Sequence, residues 1–122
     1  MKYDPNLREE ELKNKVAFLL NKLKEERAFW SYDQSSVTLE SISDELLIAL
    51  TLRYLDLEEI NLLYEIYSPK MIKEAWKKQL VPEGDYLRTL NRFIAWFYFN
   101  IKNPDRYLKT LETQHQNKLL KI

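Results

Sequence analysis

The chain has 122 residues, of which 45% are hydrophobic and 31% charged, and its formal net charge is zero. This length and composition predict a single globular domain that buries its own core, and they exclude an intrinsically disordered chain. The absence of cysteine excludes disulfides and thiolate chemistry, and a single glycine, Gly84, counts against an all-β fold and a glycine-rich nucleotide loop.

The start of the chain and its apolar runs bear on localisation. Met1–Pro5 is followed by a charged run, which is not the pattern of a signal peptide. The longest strongly apolar run, residues 93–99, is far shorter than the ~20 residues of a membrane span. The lack of cysteine fits a reducing compartment. We therefore expect a cytoplasmic protein that has no membrane association.

Helix signals dominate the first half of the chain. A first helix is predicted from about Pro5 to Phe29, since proline is well tolerated at the first helical position. A second helix is predicted from near Ser41 or Ser43, with apolar residues on more than one side. The apolar face of the first helix repeats at intervals of three and four residues and consists of Leu12, Val16, Leu19, Leu20 and Leu23.

Two further helices are predicted between residues 56 and 80. Asp56 has the position of an N-cap, and Glu59 stands three residues later, as in a capping box. This third helix is expected to end near Tyr67, and Ser68-Pro69 predicts the start of the fourth. The inward residues of the fourth helix are Ile72, Ala75, Trp76 and Leu80.

The last part of the chain predicts a turn and two more helices. Residues 81–84 have turn chemistry, Asp85 is expected to cap the fifth helix, and Asn103-Pro104 predicts the start of the last. We expect an all-α fold, a single compact bundle of five to six helices, with residues 1–122 forming one domain. The expected core faces consist of Leu87, Leu90, Ile94, Phe97 and Ile101 on the fifth helix, and Leu108, Leu111 and Leu119 on the last.

Catalytic and metal chemistry find little support in the sequence. The only histidine, His115, follows Glu112 by three residues, but a di-iron bundle needs a second such pair and further carboxylates. No serine lies in a nucleophile-elbow sequence, and adjacent carboxylates such as Glu58 and Glu59 diverge around a helix. We therefore expect no catalytic residues, no cofactor, no metal and no enzymatic activity.

The charges are unevenly distributed along the chain. Residues 33–65 carry a net charge of −7 and residues 66–122 a net charge of +6. Lys70, Lys73 and Lys77 share one face of the fourth helix and could contact phosphates. A nucleic-acid-binding regulator that uses the basic C-terminal half is therefore an alternative function, although the isoelectric point near 6.6 is low for such a protein.

Aromatic residues are concentrated in the fifth helix, where residues 96–99 are four consecutive aromatics. Consecutive positions point around the whole helix, so one core cannot easily receive all of them. Two interpretations stay open: a central helix surrounded by others, or a helix with a protein-binding surface, since aromatics are enriched in interface hot spots. A homo-oligomeric structural protein is a further alternative.

The order of segments resembles that of small helical bacterial proteins encoded beside AbiEii-type nucleotidyltransferase toxins, where they are presumed antitoxins. The resemblance covers about residues 29–109 and lies in the segments 29–33, 54–60, 72–78, 90–96 and 99–109. It implies a protein-binding module that restrains a nucleotidyltransferase, whose basic cleft would receive the acidic segment. The partner contacts that the resemblance implies are Trp30, Tyr32, Asp33, Asp56, Glu58 and Glu59.

Overall fold

The computed structural model describes residues 5–29, 37–38 and 41–120, and within these ranges it contains six α-helices, one 3₁₀ segment and no strand. The predicted all-α class is confirmed. The chain divides into two compact units, residues 1–72 and 73–122, so the prediction of a single domain stays a prediction. The elements are α1 (Pro5–Glu25), α2 (Asp44–Tyr54), α3 (Leu57–Ile66), α4 (Pro69–Gln79), the 3₁₀ segment (Val81–Leu87), α5 (Arg88–Phe97) and α6 (Pro104–Leu120).

The first unit is built from α1, α2 and α3, and each of these helices packs against the other two. Ile48 and Leu52 of α2 are both buried, but residues four apart share one helical face, so the predicted burial on more than one side stays a prediction. The first helix ends at Glu25, four residues before the predicted end at Phe29. Arg27 has a φ of 56°, and the amide of Ala28 donates to the carbonyl of Leu23 at 2.9 Å, which closes the helix.

Side-chain caps account for three of the helix starts, those of α2, α4 and α6. The Ser43 hydroxyl accepts from the amide of Leu46 at 3.1 Å, and the Ser68 hydroxyl accepts from that of Met71 at 3.2 Å. Asn103 caps α6 in the same way through its side-chain oxygen. Asp56 occupies the cap position of α3 but its side chain makes no capping hydrogen bond, so the predicted capping box is wrong although the helix start is right.

In the second unit the chain between α4 and α5 differs from the prediction. A 3₁₀ segment replaces the simple turn, with a break at Gly84, whose φ of 58° favours glycine. Asp85 does not cap a helix, because α5 begins only at Arg88, and its carboxylate instead accepts from the Arg88 guanidinium at 3.1 Å. The 3₁₀ segment, α5 and α6 pack against one another.

The buried faces of the last two helices follow the prediction only in part. Ile94 and Leu108 are buried, as expected. Phe97 and Leu119 are 51% and 58% exposed, so their assignment to the core is wrong. α5 ends at Phe97, and Asn100 has a φ of 54°, so the helical spacing of the apolar residues does not continue to Ile101.

Candidate functional site

The structure describes half of the predicted partner contacts. Trp30, Tyr32 and Asp33 lie outside the described residues. The other three, Asp56, Glu58 and Glu59, lie together at the start of α3 in the first unit. Their helical positions place their carboxylates near the positive end of the α3 dipole, which stabilises negative charge there.

The acidic end of α3, which consists of Asp56, Glu58 and Glu59, presents unneutralised charge. Asp56 and Glu58 are exposed and Glu59 is half-buried. Among the described residues none of the three forms an ion pair or a side-chain hydrogen bond. Leu57, which lies between them in the chain, is 46% exposed. This short segment therefore combines three carboxylates with one apolar side chain at the surface.

Two other acids of residues 33–65 have interaction partners within the first unit. The Tyr67 hydroxyl donates to the carboxylate of Asp44 at 2.7 Å. Burial, and then this hydrogen bond and the charge of Asp44, raise the pKa of the Tyr67 phenol. Glu65 lies 3.9 Å from the ammonium of Lys15. Asp44 and Glu65 therefore have partners within the first unit, which the three carboxylates at the acidic end of α3 do not have among the described residues.

An exposed aromatic cluster lies on α5 in the second unit and consists of Phe93, Trp96 and Phe97. These side chains are 38%, 59% and 51% exposed. The rings of Phe93 and Phe97 stack with their centroids 5.2 Å apart, and Trp96 lies 6.2 Å from Phe97. The interpretation of α5 as a helix surrounded on all sides is therefore wrong, because one of its faces is open.

The opposite face of α5 is fixed by a buried polar contact. The indole N–H of Trp76 donates to the side-chain oxygen of Asn91 at 3.0 Å, and the Asn91 amide donates to the carbonyl of Leu80 at 3.0 Å. Trp76 and Asn91 are 0% and 2% exposed. Together with the buried Ile94 and Ala95 this contact fixes the rotation of α5, and that rotation turns the aromatic cluster outward.

The three lysines expected to contact phosphates have different surroundings. Lys70 is exposed. The ammonium of Lys73 lies over the rings of Phe99 and Tyr107, at 5.8 and 5.5 Å from their centroids. The ammonium of Lys77 lies 3.7 Å from the carboxylate of Glu74. Lys73 and Lys77 therefore already have partners in the second unit, and the three lysines do not form a row of free ammonium groups that could contact successive phosphates.

Two of the arginines in the basic C-terminal half, Arg88 and Arg92, also form ion pairs. Arg88 reaches the carboxylates of Asp85, Asp105 and Glu112, and Arg92 lies 3.0 Å from Asp105. Glu112 therefore has a structural contact that links α5 to α6. In the described part of the chain no group of three or more histidine, cysteine, aspartate or glutamate residues could hold a metal ion.

A cleft of about 370 Å³ lies between α4, the 3₁₀ segment and α6 in the second unit. Val81, which is buried, contributes to an apolar part of its wall. The sequence did not predict this cleft, because its walls come from three separated segments and the residues carry no motif. The lining residues are Glu74, Lys77, Lys78, Val81, Pro82, Leu111, Gln114, His115 and Lys118.

Comparison of the chain with known protein families, with curated proteins and with solved structures finds no match. No helix in the described ranges has the length and apolarity that crossing a membrane requires. We therefore infer function from the surfaces of the two units themselves.

Proposed function

We propose that this protein is a non-enzymatic protein-binding module with an antitoxin-like role, which binds and restrains a nucleotidyltransferase-type toxin. The observation that carries the proposal is the exposed aromatic cluster on α5. Aromatic side chains are enriched in interface hot spots, where they fill pockets of a partner. Three of them in ring contact on one helix face favour the binding of a protein over the binding of a small ion.

The size of the cluster is consistent with an interface centre. An aromatic side chain that is fully buried removes 150–250 Å² from water, and the cluster side chains are about half exposed, so a partner would cover roughly 300 Å² of aromatic surface. At about 25 cal/mol per Å² this corresponds to a gross gain of about 7 kcal/mol, before the costs of association. Such a gain is sufficient for a specific interface once surrounding contacts are added.

The acidic end of α3 supports a partner with a basic surface. Its carboxylates would steer association with a positively charged cleft and affect mainly the association rate. A nucleotidyltransferase has such a cleft because it binds nucleotide phosphates, and the resemblance over residues 29–109 favours this partner class. The nucleic-acid alternative is less favoured, since the ammonium of Lys73, the middle one of the three lysines, already lies over the rings of Phe99 and Tyr107.

The experiment measures binding to an AbiEii-type nucleotidyltransferase, together with rescue of cells that express this enzyme. Trp96→Ala should raise the dissociation rate about 30-fold or more if Trp96 is a hot spot worth about 2 kcal/mol or more. Phe18→Ala is the matched control, because Phe18 is a similarly exposed aromatic, at 48%, but lies on α1 in the other unit.

A second arm tests the acidic end of α3. Glu58→Lys should slow association at low salt, and the difference should shrink as salt rises, since screening acts over about 8 Å at physiological ionic strength. Glu83→Lys, at an exposed acid of the 3₁₀ segment, is the control. Failure of the wild-type protein to bind or rescue would refute the antitoxin role. A wild-type dimer that Trp96→Ala dissociates, without toxin binding, would assign the cluster to homo-oligomerisation instead.

A further inference from the structure

The cleft between α4, the 3₁₀ segment and α6 has an uneven distribution of charge. Its lining includes three lysines, Lys77, Lys78 and Lys118, against a single acid, Glu74. These groups come from two helices that are separated in the sequence, so the fold gathers them on one concave surface. A concave site with converging cations concentrates positive potential and favours an anionic ligand.

The charge count indicates which anion fits. Two or three ammonium groups are more than one carboxylate ligand would neutralise, whereas a phosphate monoester carries close to two negative charges and several acceptor oxygens. Lysine is a common point-charge partner of phosphate in proteins. Gln114 and His115, which also line the cleft, can supply hydrogen bonds to the same oxygens.

The remaining wall is apolar and comes from Val81, Pro82 and Leu111. A cavity of about 370 Å³ is within the range of small-molecule sites, which combine apolar walls with a few converging polar groups. Inorganic phosphate alone would leave this apolar wall against water. The cleft therefore fits a phosphate attached to an apolar body of small-molecule size.

We propose that the cleft lined by Lys77, Lys118 and His115 binds a small organic phosphate, with the phosphate on the lysines and the apolar body against Val81, Pro82 and Leu111. This site is independent of the proposed protein-binding role. Glu74 lowers the affinity for the ligand, because its carboxylate lies 3.7 Å from the ammonium of Lys77 and competes with the phosphate for that positive charge.

The experiment uses the full chain and calorimetric titration at low salt, with 1-naphthyl monophosphate, 1-naphthol and inorganic phosphate as probes. The naphthyl monophosphate should bind at least tenfold more tightly than inorganic phosphate, and 1-naphthol should not bind measurably. Lys77→Ala and Lys118→Ala should each weaken binding roughly 10- to 100-fold, as for loss of a hydrogen bond to a charged group. Glu74→Gln should tighten it several-fold.

Lys109→Ala is the matched control, because Lys109 is an exposed lysine on α6 that does not line this cleft, and it should leave binding unchanged. Equal weakening by Lys109→Ala, or equal binding of monophosphate and inorganic phosphate, would overturn the site in favour of general charge attraction. Absence of monophosphate binding at millimolar concentration would also overturn it. Binding of a 20-nucleotide single strand without binding of the monophosphate would reject a small ligand and indicate a nucleic-acid surface.

Discussion

The buried contact between Trp76 and Asn91 provides the sharpest test of the packing in the second unit. Replacing Asn91 by leucine keeps the side-chain volume similar but removes the acceptor of the Trp76 indole N–H and the donor to the Leu80 carbonyl. A buried polar group that loses its only partner costs about 1–3 kcal/mol, and here that group is the Trp76 indole N–H. The Leu80 carbonyl keeps a hydrogen bond from the amide of Glu83 at 3.1 Å. We therefore expect Asn91→Leu to lower the free energy of unfolding by about 1–3 kcal/mol, a substantial part of the stability of a small domain.

Urea and thermal denaturation measure this loss, which should lower the Tm by roughly 5 °C or more. Asn61→Leu is the control, because Asn61 is exposed on α3, and its effect should stay within about 0.5 kcal/mol. Trp76→Phe removes the indole donor, so combining it with Asn91→Leu should cost about 1–2 kcal/mol less than the sum of the single changes. A loss below about 0.5 kcal/mol for Asn91→Leu, or strict additivity in the double variant, would refute the reasoning.

Two further predictions concern the first unit. Ser43→Ala should lower the free energy of unfolding by about 1 kcal/mol, because the Ser43 hydroxyl caps α2. Asp56→Ala should lower it by less than about 0.5 kcal/mol, because the Asp56 side chain makes no capping hydrogen bond. Equal losses for the two variants in urea denaturation would contradict this difference. The raised pKa of Tyr67 predicts a loss of stability at high pH. Above about pH 10 the Tyr67 phenol loses its proton in the unfolded chain but keeps it in the folded protein. The folded state therefore becomes less favoured as pH rises. Tyr67→Phe should flatten this decline between pH 9 and about 11, and an unchanged slope would show that other groups cause it.

Local signals in the sequence predicted most of the helix starts. Ser43, Ser68 and Asn103 are short polar residues that cap a helix through neighbours three positions away, so a local pattern is sufficient to find them. Asp56 shows the limit of this reasoning. Its type and position are those of a cap, but whether the side chain turns toward the helix amides depends on solvent and on its neighbours, which a pattern does not contain.

The surfaces were less predictable than the helices. Four consecutive aromatics point in all directions around a helix, so the sequence left open which of them would be buried. Asn91 decides that question, because its hydrogen bonds to Trp76 and Leu80 turn Ile94 inward and Trp96 outward. A single asparagine within an apolar helix gives no sign of the partner that it meets fifteen residues away.

The cleft was missed for a related reason. Lys77 and Lys78 lie on α4 and Lys118 on α6, and their meeting depends on the path of the chain through the 3₁₀ segment. In the sequence, helical spacing is the only relation among the lysines, and it places Lys77 on one face with Lys70 and Lys73. Tertiary packing separates these lysines into different environments.

The contrast between Trp76 and Trp96 gives the second unit an optical readout of its own. Trp76 is fully shielded from water, whereas Trp96 is 59% exposed. Indole emission shifts to longer wavelength in water, so quenching by acrylamide should act on the red part of the spectrum and spare the emission of Trp76. With Trp30 replaced by phenylalanine, the long-wavelength emission comes from Trp96. A blue shift of this emission would show directly, without an attached dye, that a partner covers the exposed aromatic cluster on α5.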